Sequence, residues 1–259
     1  MTYESIIVEI SEKFVANITM NRPENLNTFN TVMAKELFEA LNALDSNPQV
    51  RVMVLKGAGK VFCAGIDVKE LENKSAMEYR DWIEKMERPL MTISRLKKPV
   101  IAQVHGVAAA NGMGLVAAAD LSIAADNARM GLTAINVGLN CVGPVIPVSK
   151  SIGRKKALEL LLYGDLIGAD EALNLGLINK ISPVDRLDAE TQKWAETLAQ
   201  KSPIAVQIAK SAFYASEDMN YDTQFNFMNE AFARLCTTDD AKEGVKAFFE
   251  KRKPEWAMK

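Results

Sequence analysis

The stretch Phe62-Cys63-Ala64-Gly65-Ile66-Asp67-Val68-Lys69 decides how this chain is read, together with its counterpart Val104-His105-Gly106-Val107-Ala108-Ala109-Ala110-Asn111-Gly112-Met113-Gly114. Each runs straight out of an apolar segment of β type and turns through glycine. The first N–H groups of a helix have no partner inside it, so such a turn aims a free backbone donor at a ligand. Two such donors converging on one point make an oxyanion hole, the device used when a carbonyl becomes an enolate or a tetrahedral anion.

Outward from these turns the pattern is α/β, then all-α. Residues 5–10 and 14–20 alternate like paired strands across a short Ser11-Glu12-Lys13 turn. Helical spacing predicts helices over 31–44 and 77–96, stopped by Asn47-Pro48 and by Lys97-Lys98-Pro99. Short apolar runs at 50–55, 100–104 and 121–125 read as buried strands, and 111–118 as a helix. From Ala169 onward periodic helices dominate, at 169–175, 187–200, 203–215, 221–235 and 239–251. The expected organisation is therefore an α/β core over 1–182 and a helical region over 183–259.

Composition narrows the class. Of 259 residues, 48% are hydrophobic and 25% charged, as in a globular chain with a substantial core. A formal net charge of −2 gives no electrostatic case for nucleic acid or an anionic membrane. Three widely spaced cysteines, Cys63, Cys141 and Cys236, argue against a disulfide framework and for a reducing, cytoplasmic compartment. No basic segment followed by an apolar one opens the chain. The longest apolar stretch, 115–125, is broken by Asp120 and is too short to span a bilayer. No Cys/His/Asp cluster has metal-ligand spacing, so no metal is expected. Asn111-Gly112-Met113-Gly114 lacks both the P-loop lysine and the dinucleotide spacing.

The motifs Asn21-Arg22-Pro23, Ala64-Gly65-Ile66-Asp67, Lys98-Pro99-Val100-Ile101-Ala102 and Gly106-Val107-Ala108 resemble the enoyl-CoA hydratase/isomerase (crotonase) superfamily. So do Ala119-Asp120-Leu121, Gly164-Asp165-Leu166-Ile167-Gly168-Ala169-Asp170-Glu171-Ala172 and Gly176-Leu177-Ile178. The ending Phe248-Phe249-Glu250-Lys251-Arg252-Lys253-Pro254 continues the match, which covers the chain in order. The run 136–141 and the ending 253–256 are most similar to members related to enoyl-CoA hydratase domain-containing protein 3. The resemblance implies a crotonase (ClpP-like) spiral of ββα units with a C-terminal helical trimerisation region. It also implies a homotrimer or dimer of trimers, no bound cofactor, and an acyl-CoA substrate that carries coenzyme A itself.

By this resemblance the backbone N–H groups of Ile66 and Asn111 hold the thioester oxygen. The Asn111 side chain either caps the 111–118 helix or turns into the pocket. Asn25 and Leu26 lie along the adenine, Ala64, Asp67, Val68 and Lys69 beside the nucleotide and pantetheine. Gly112 and Ala134 complete the acyl side. Phe248 and Lys251 reach a neighbouring subunit's ligand, either lysine being alternatively a solvated surface charge. The acids that hydratases use are missing: the matching positions are Gly114 and Ala134, and a third, used by several isomerases, is Val142. Each absent proton carrier removes about 10²–10⁴-fold of general acid–base catalysis. Enolate chemistry such as decarboxylation, which needs no strong base, survives this loss better than hydration. A non-catalytic acyl-CoA-binding oligomer and an atypical enoyl-CoA hydratase/isomerase are the alternatives. Cys141 is either a nucleophile or weak acid or a small residue lining the pocket. His105, the only histidine, reads as a brace for its turn.

Overall fold

Buried hydrophobic runs fix the sheet. In the computed structural model, which describes residues 2–71 and 73–258, all five residues of Val100–Val104 are buried. A strand apolar on both faces belongs in the middle of a parallel sheet with cover on each side. In chain order the first elements are β1 (Ile6–Ile10), β2 (Val15–Met20), α1 (Thr31–Ser46), β3 (Val52–Gly57) and α2 (Ala76–Ile93). Next come β4 (Val100–Val104), β5 (Val107–Ala109), α3 (Asn111–Ala118), β6 (Leu121–Ala125) and β7 (Arg129–Gly131). Then follow α4 (Val145–Ile152), α5 (Arg154–Tyr163), β8 (Leu166–Gly168), α6 (Ala169–Asn174) and β9 (Lys180–Ser182). The chain closes with α7 (Leu187–Ala199), α8 (Pro203–Ser216), α9 (Tyr221–Cys236) and α10 (Asp239–Glu250).

Six strands form one sheet in the order β1-β2-β3-β4-β6-β9, and β5-β7-β8 form a second. β1 pairs antiparallel with β2, and every later pair of the large sheet is parallel. Cys63 bridges to Ala108 of β5 in parallel fashion, which adds the first glycine turn to the small sheet. Each repeat thus gives a strand to the large sheet, a short one to the small sheet, and then a helix. That is the spiral of ββα units expected of a crotonase fold.

The strand expected at 50–55 is observed two residues later. Val50 is buried, but its N–H donates to Asn47 O at 3.0 Å, in the turn that follows α1. β5, β7, β8 and β9, of three residues each, and helices α4 and α5 were not visible as periodic segments. α7, the first helix beyond residue 182, packs on β2, β3, β4 and β6. Its Leu187, Ala195 and Ala199 belong to the main hydrophobic core. Among the described residues no helix is long and apolar enough to cross a membrane.

Candidate active site

The two glycine turns lie against each other. Cys63 N–H donates to Val107 O at 3.1 Å, and Ala109 N–H returns a bond to Cys63 O at 2.8 Å. A Cβ at Gly112 would collide with Cys63 O, so only glycine permits this approach. Gly65 sits at φ +104°, and a Cβ there would press on Ala110 Cβ at 3.1 Å. The Asn25–Phe29 segment runs alongside: Ala64 N–H donates to Leu26 O (3.1 Å), Phe29 N–H to Gly65 O (2.7 Å) and Asp67 N–H to Phe29 O (2.8 Å).

This pairing uses the groups on either side of Ile66 and leaves its own N–H, which has no acceptor among the described residues. Asn111 is the first residue of α3, so its N–H is also outside the helical ladder and has no acceptor among the described residues. Asn111 does not cap that helix. Ala110 occupies the cap position at φ 50°, ψ −112°, with no side-chain cap hydrogen bond. For a non-glycine residue such a conformation stores about 1–3 kcal/mol. The turn is closed by Ala110 N–H donating to Gly131 O at 2.8 Å. Asn111 is 4% exposed, and its side-chain Nδ2 is buried with no hydrogen-bond partner among the described residues. A buried unpaired donor costs about 1–3 kcal/mol, which a ligand acceptor would recover.

The other expected residues divide in two. Asn25, Leu26, Ala64, Ile66, Asp67, Val68, Lys69, Asn111 and Gly112 come together along this seam, Leu26, Val68 and Lys69 being exposed. The Asp67 carboxylate is committed within it, bonded to Arg22 at 3.0 Å and to Lys69 N–H at 3.2 Å. Burial alone would raise its pKa, but the Arg22 hydrogen bond and charge, with the Lys69 N–H, hold it below the ordinary value. Ala134 lies in the turn after β7, and Cys141 is buried in the loop beyond it. Burial pushes the Cys141 thiol up, with the Ala134 backbone opposing, so thiol and not thiolate prevails near pH 7. Phe248 and Lys251 are both exposed, on and just after α10, which packs on α8 and α9. Within one chain they are not joined to the seam by any described contact.

Two positioning residues, Asn27 and Glu70, escaped the sequence reading. Asn27, fully buried, accepts from Arg22 N–H (2.9 Å) and donates to Ala58 O (2.8 Å) and Val61 O (2.9 Å), which fastens the loop entering the first turn. Glu70 accepts from Thr31 N–H and hydroxyl and from Trp82 Nε1, tying the end of that turn to α1 and α2. Gly114 is enclosed: a Cβ there would meet Leu90 Cδ2 at 2.7 Å and Pro144 Cβ at 2.9 Å. His105 approaches Gly59 O at 3.1 Å, and burial lowers its pKa, so the neutral ring holds the turn.

The sequence profile of the enoyl-CoA hydratase/isomerase family matches residues 11–259. A crotonyl-CoA hydratase of Syntrophomonas wolfei is 34% identical over the whole of both chains. The solved structure of an enoyl-CoA hydratase from Mycobacterium smegmatis superposes with a TM-score of 0.94, at 36% identity, over 98% of this chain and 99% of that one. Human enoyl-CoA hydratase domain-containing protein 3 superposes with a TM-score of 0.93, at 31% identity, over 98% and 100%.

Proposed function

The chain belongs to the enoyl-CoA hydratase/isomerase family, and on that premise we propose that it acts on an acyl-CoA thioester by stabilising an enolate. The observation that carries this reading is the pair of unclaimed N–H groups, Ile66 and Asn111, on two turns bonded to one another. Loss of a proton or of carbon dioxide next to a thioester places negative charge on its oxygen. Two preorganised donors meet that charge, each contributing about 2.7–4 kcal/mol to transition-state stabilisation. Asn25, Leu26, Ala64, Val68 and Lys69 would take the coenzyme A portion along the same seam, with Phe248 and Lys251 supplied by a neighbouring subunit. Three unpaired cysteines fit a reducing, cytoplasmic setting.

Hydration is the less favoured reaction. Gly114, Ala134 and Val142 carry no proton, and Leu90 and Pro144 fill the space a glutamate at 114 would need. Decarboxylation or proton exchange at the α-carbon makes the smaller demand. The carbonyl stretch of a bound acyl-CoA thioester tests the hole: we expect it to move to lower frequency on binding. An unshifted band in the bound state would remove Ile66 and Asn111 from the account.

A further inference from the structure

We propose that Glu87, on α2, is the residue that moves the proton at the carbon next to the thioester carbonyl, in place of the acids missing from positions 114, 134 and 142. The inference rests on the enolate reading above and deepens it. Two helices set the geometry. The C-terminal ends of α2 and α3 lead into β4 and β6, neighbouring parallel strands whose entries are joined by Asp120 N–H donating to Val100 O at 3.0 Å. The two helices therefore descend side by side in the same direction. Leu90 of α2 stands against Gly114 of α3. Glu87 lies three residues before Leu90 on the same face, as Asn111 lies three before Gly114. Three residues are about 4.5 Å of helical rise, which brings Glu87 to the level of the oxyanion donors.

The carboxylate rests on the backbone of Gly143, where a Cβ would collide with Oε1. Gly143 separates Val142, one of the vacated acidic positions, from Pro144, which covers Gly114. Glu87, Leu90 and Gly143 line a groove of about 620 Å³ that runs on past Ala118, Pro147 and Tyr214, so the carboxylate borders open volume beside the Gly114 contact. Among the described residues none pairs with it, and burial raises its pKa with no charge opposing the effect. The charges around it are already bound elsewhere. Glu84 meets Arg88 on its own helix, Lys150 of α4 meets Glu217 and Asp218, and Asp120 meets Lys210. α3 has no titratable side chain, the loop carries the buried Cys141 thiol, and Tyr214 of α8 is pushed up by burial.

In the forward direction a Glu87 carboxylate oxygen takes the α-proton. The C–H bond breaks, an O–H bond forms, and the electron pair moves to the thioester oxygen held by Ile66 and Asn111. In the reverse direction, or after carbon dioxide leaves, protonated Glu87 returns a proton to the α-carbon. No oxidant or second substrate is required.

The test is deuterium incorporation at the α-carbon of butyryl-CoA and of malonyl-type thioesters in heavy water, followed against pH. The wild-type rate should rise through a pKa above the ordinary glutamate value and then level off. Glu87→Gln should bind butyryl-CoA as the wild type does, exchange at least about 100-fold more slowly and lose that pH limb. Gly143→Ala, which displaces the carboxylate while leaving Glu87 in place, should reproduce the slowing. Exchange by Glu87→Gln at the wild-type rate and with the wild-type profile would overturn the assignment. So would a wild type that binds thioesters without exchanging the proton, although binding at the hole would stand. A wild type that binds no thioester would instead overturn the enolate reading itself.

Discussion

Ala110 shows what the site demands of single residues. It holds positive φ in a turn where glycine would rest unstrained, and the turn's closure through Gly131 keeps it there. Replacing it with glycine exchanges strain of about 1–3 kcal/mol for a backbone-entropy cost of about 0.4–1 kcal/mol. Ala110→Gly should therefore raise the urea midpoint or leave it unchanged, and a fall beyond 1 kcal/mol, about the entropic cost, would deny the strain. The Arg22–Asp67 pair makes a second prediction, on pH. Asp67 titrates below its unfolded value, so the stability it adds is present above about pH 3.9 and fades as pH falls through the depressed native pKa. The stability gap between wild type and Asp67→Asn should be constant at neutral pH and close in acid. A gap that widened on acidification would contradict the sign. At this scale much was legible, because the glycines at 65 and 112 announce close approach. Glu87 was not: a glutamate amid Lys85, Glu84 and Arg88 looks like one more solvated charge until Gly143 is found against it.

Among elements, the turn after β3 and the start of α3 carry the unclaimed donors, and the far ends of α2 and α3 are fastened by buried charge. Lys210 of α8 donates to Asp120 at 2.7 Å and to Lys98 O at 2.9 Å, while Asp120 accepts from Val100 N–H at 2.7 Å. Lys210→Met would leave the Asp120 charge buried without its partner, at about 3–5 kcal/mol in urea unfolding. A change under 1 kcal/mol, the scale of a surface pair, would mean that the junction is solvated. Gly114→Glu is the complementary test. It restores a hydratase acid in sequence, yet Leu90 and Pro144 stand in its place, so it should destabilise by about 1–3 kcal/mol and yield no hydration. Long helices and fully buried strands could be read from periodicity. The three-residue strands of the small sheet could not, since two or three alternations carry no period. The start of α2 is readable from periodicity to within one residue, and the Ser75–Glu78 capping box fixes it at Ala76.

At the scale of the whole molecule, the chain reads as an α/β spiral whose last helices face outward. Phe213, Phe225, Phe232, Phe248 and Phe249 are all more than half exposed on α8, α9 and α10. The trimer that the resemblance implies would cover rings of this kind. Light scattering should give a mass that is a multiple of three chains of 28.5 kDa, and a monomer at micromolar concentration would contradict the trimer. The spiral was legible because its motifs run in order along the chain. Which reaction it performs was not, because that depends on the placement of one proton carrier across two helices and a loop. The most direct measurement is a mass-resolved assay of the purified protein in heavy water, against saturated, 2-enoyl, 3-enoyl and malonyl-type CoA thioesters. The account predicts loss of carbon dioxide or deuterium entering the α-carbon alone. Addition of water across the 2-enoyl thioester, or binding with no change of mass in any thioester, would contradict it.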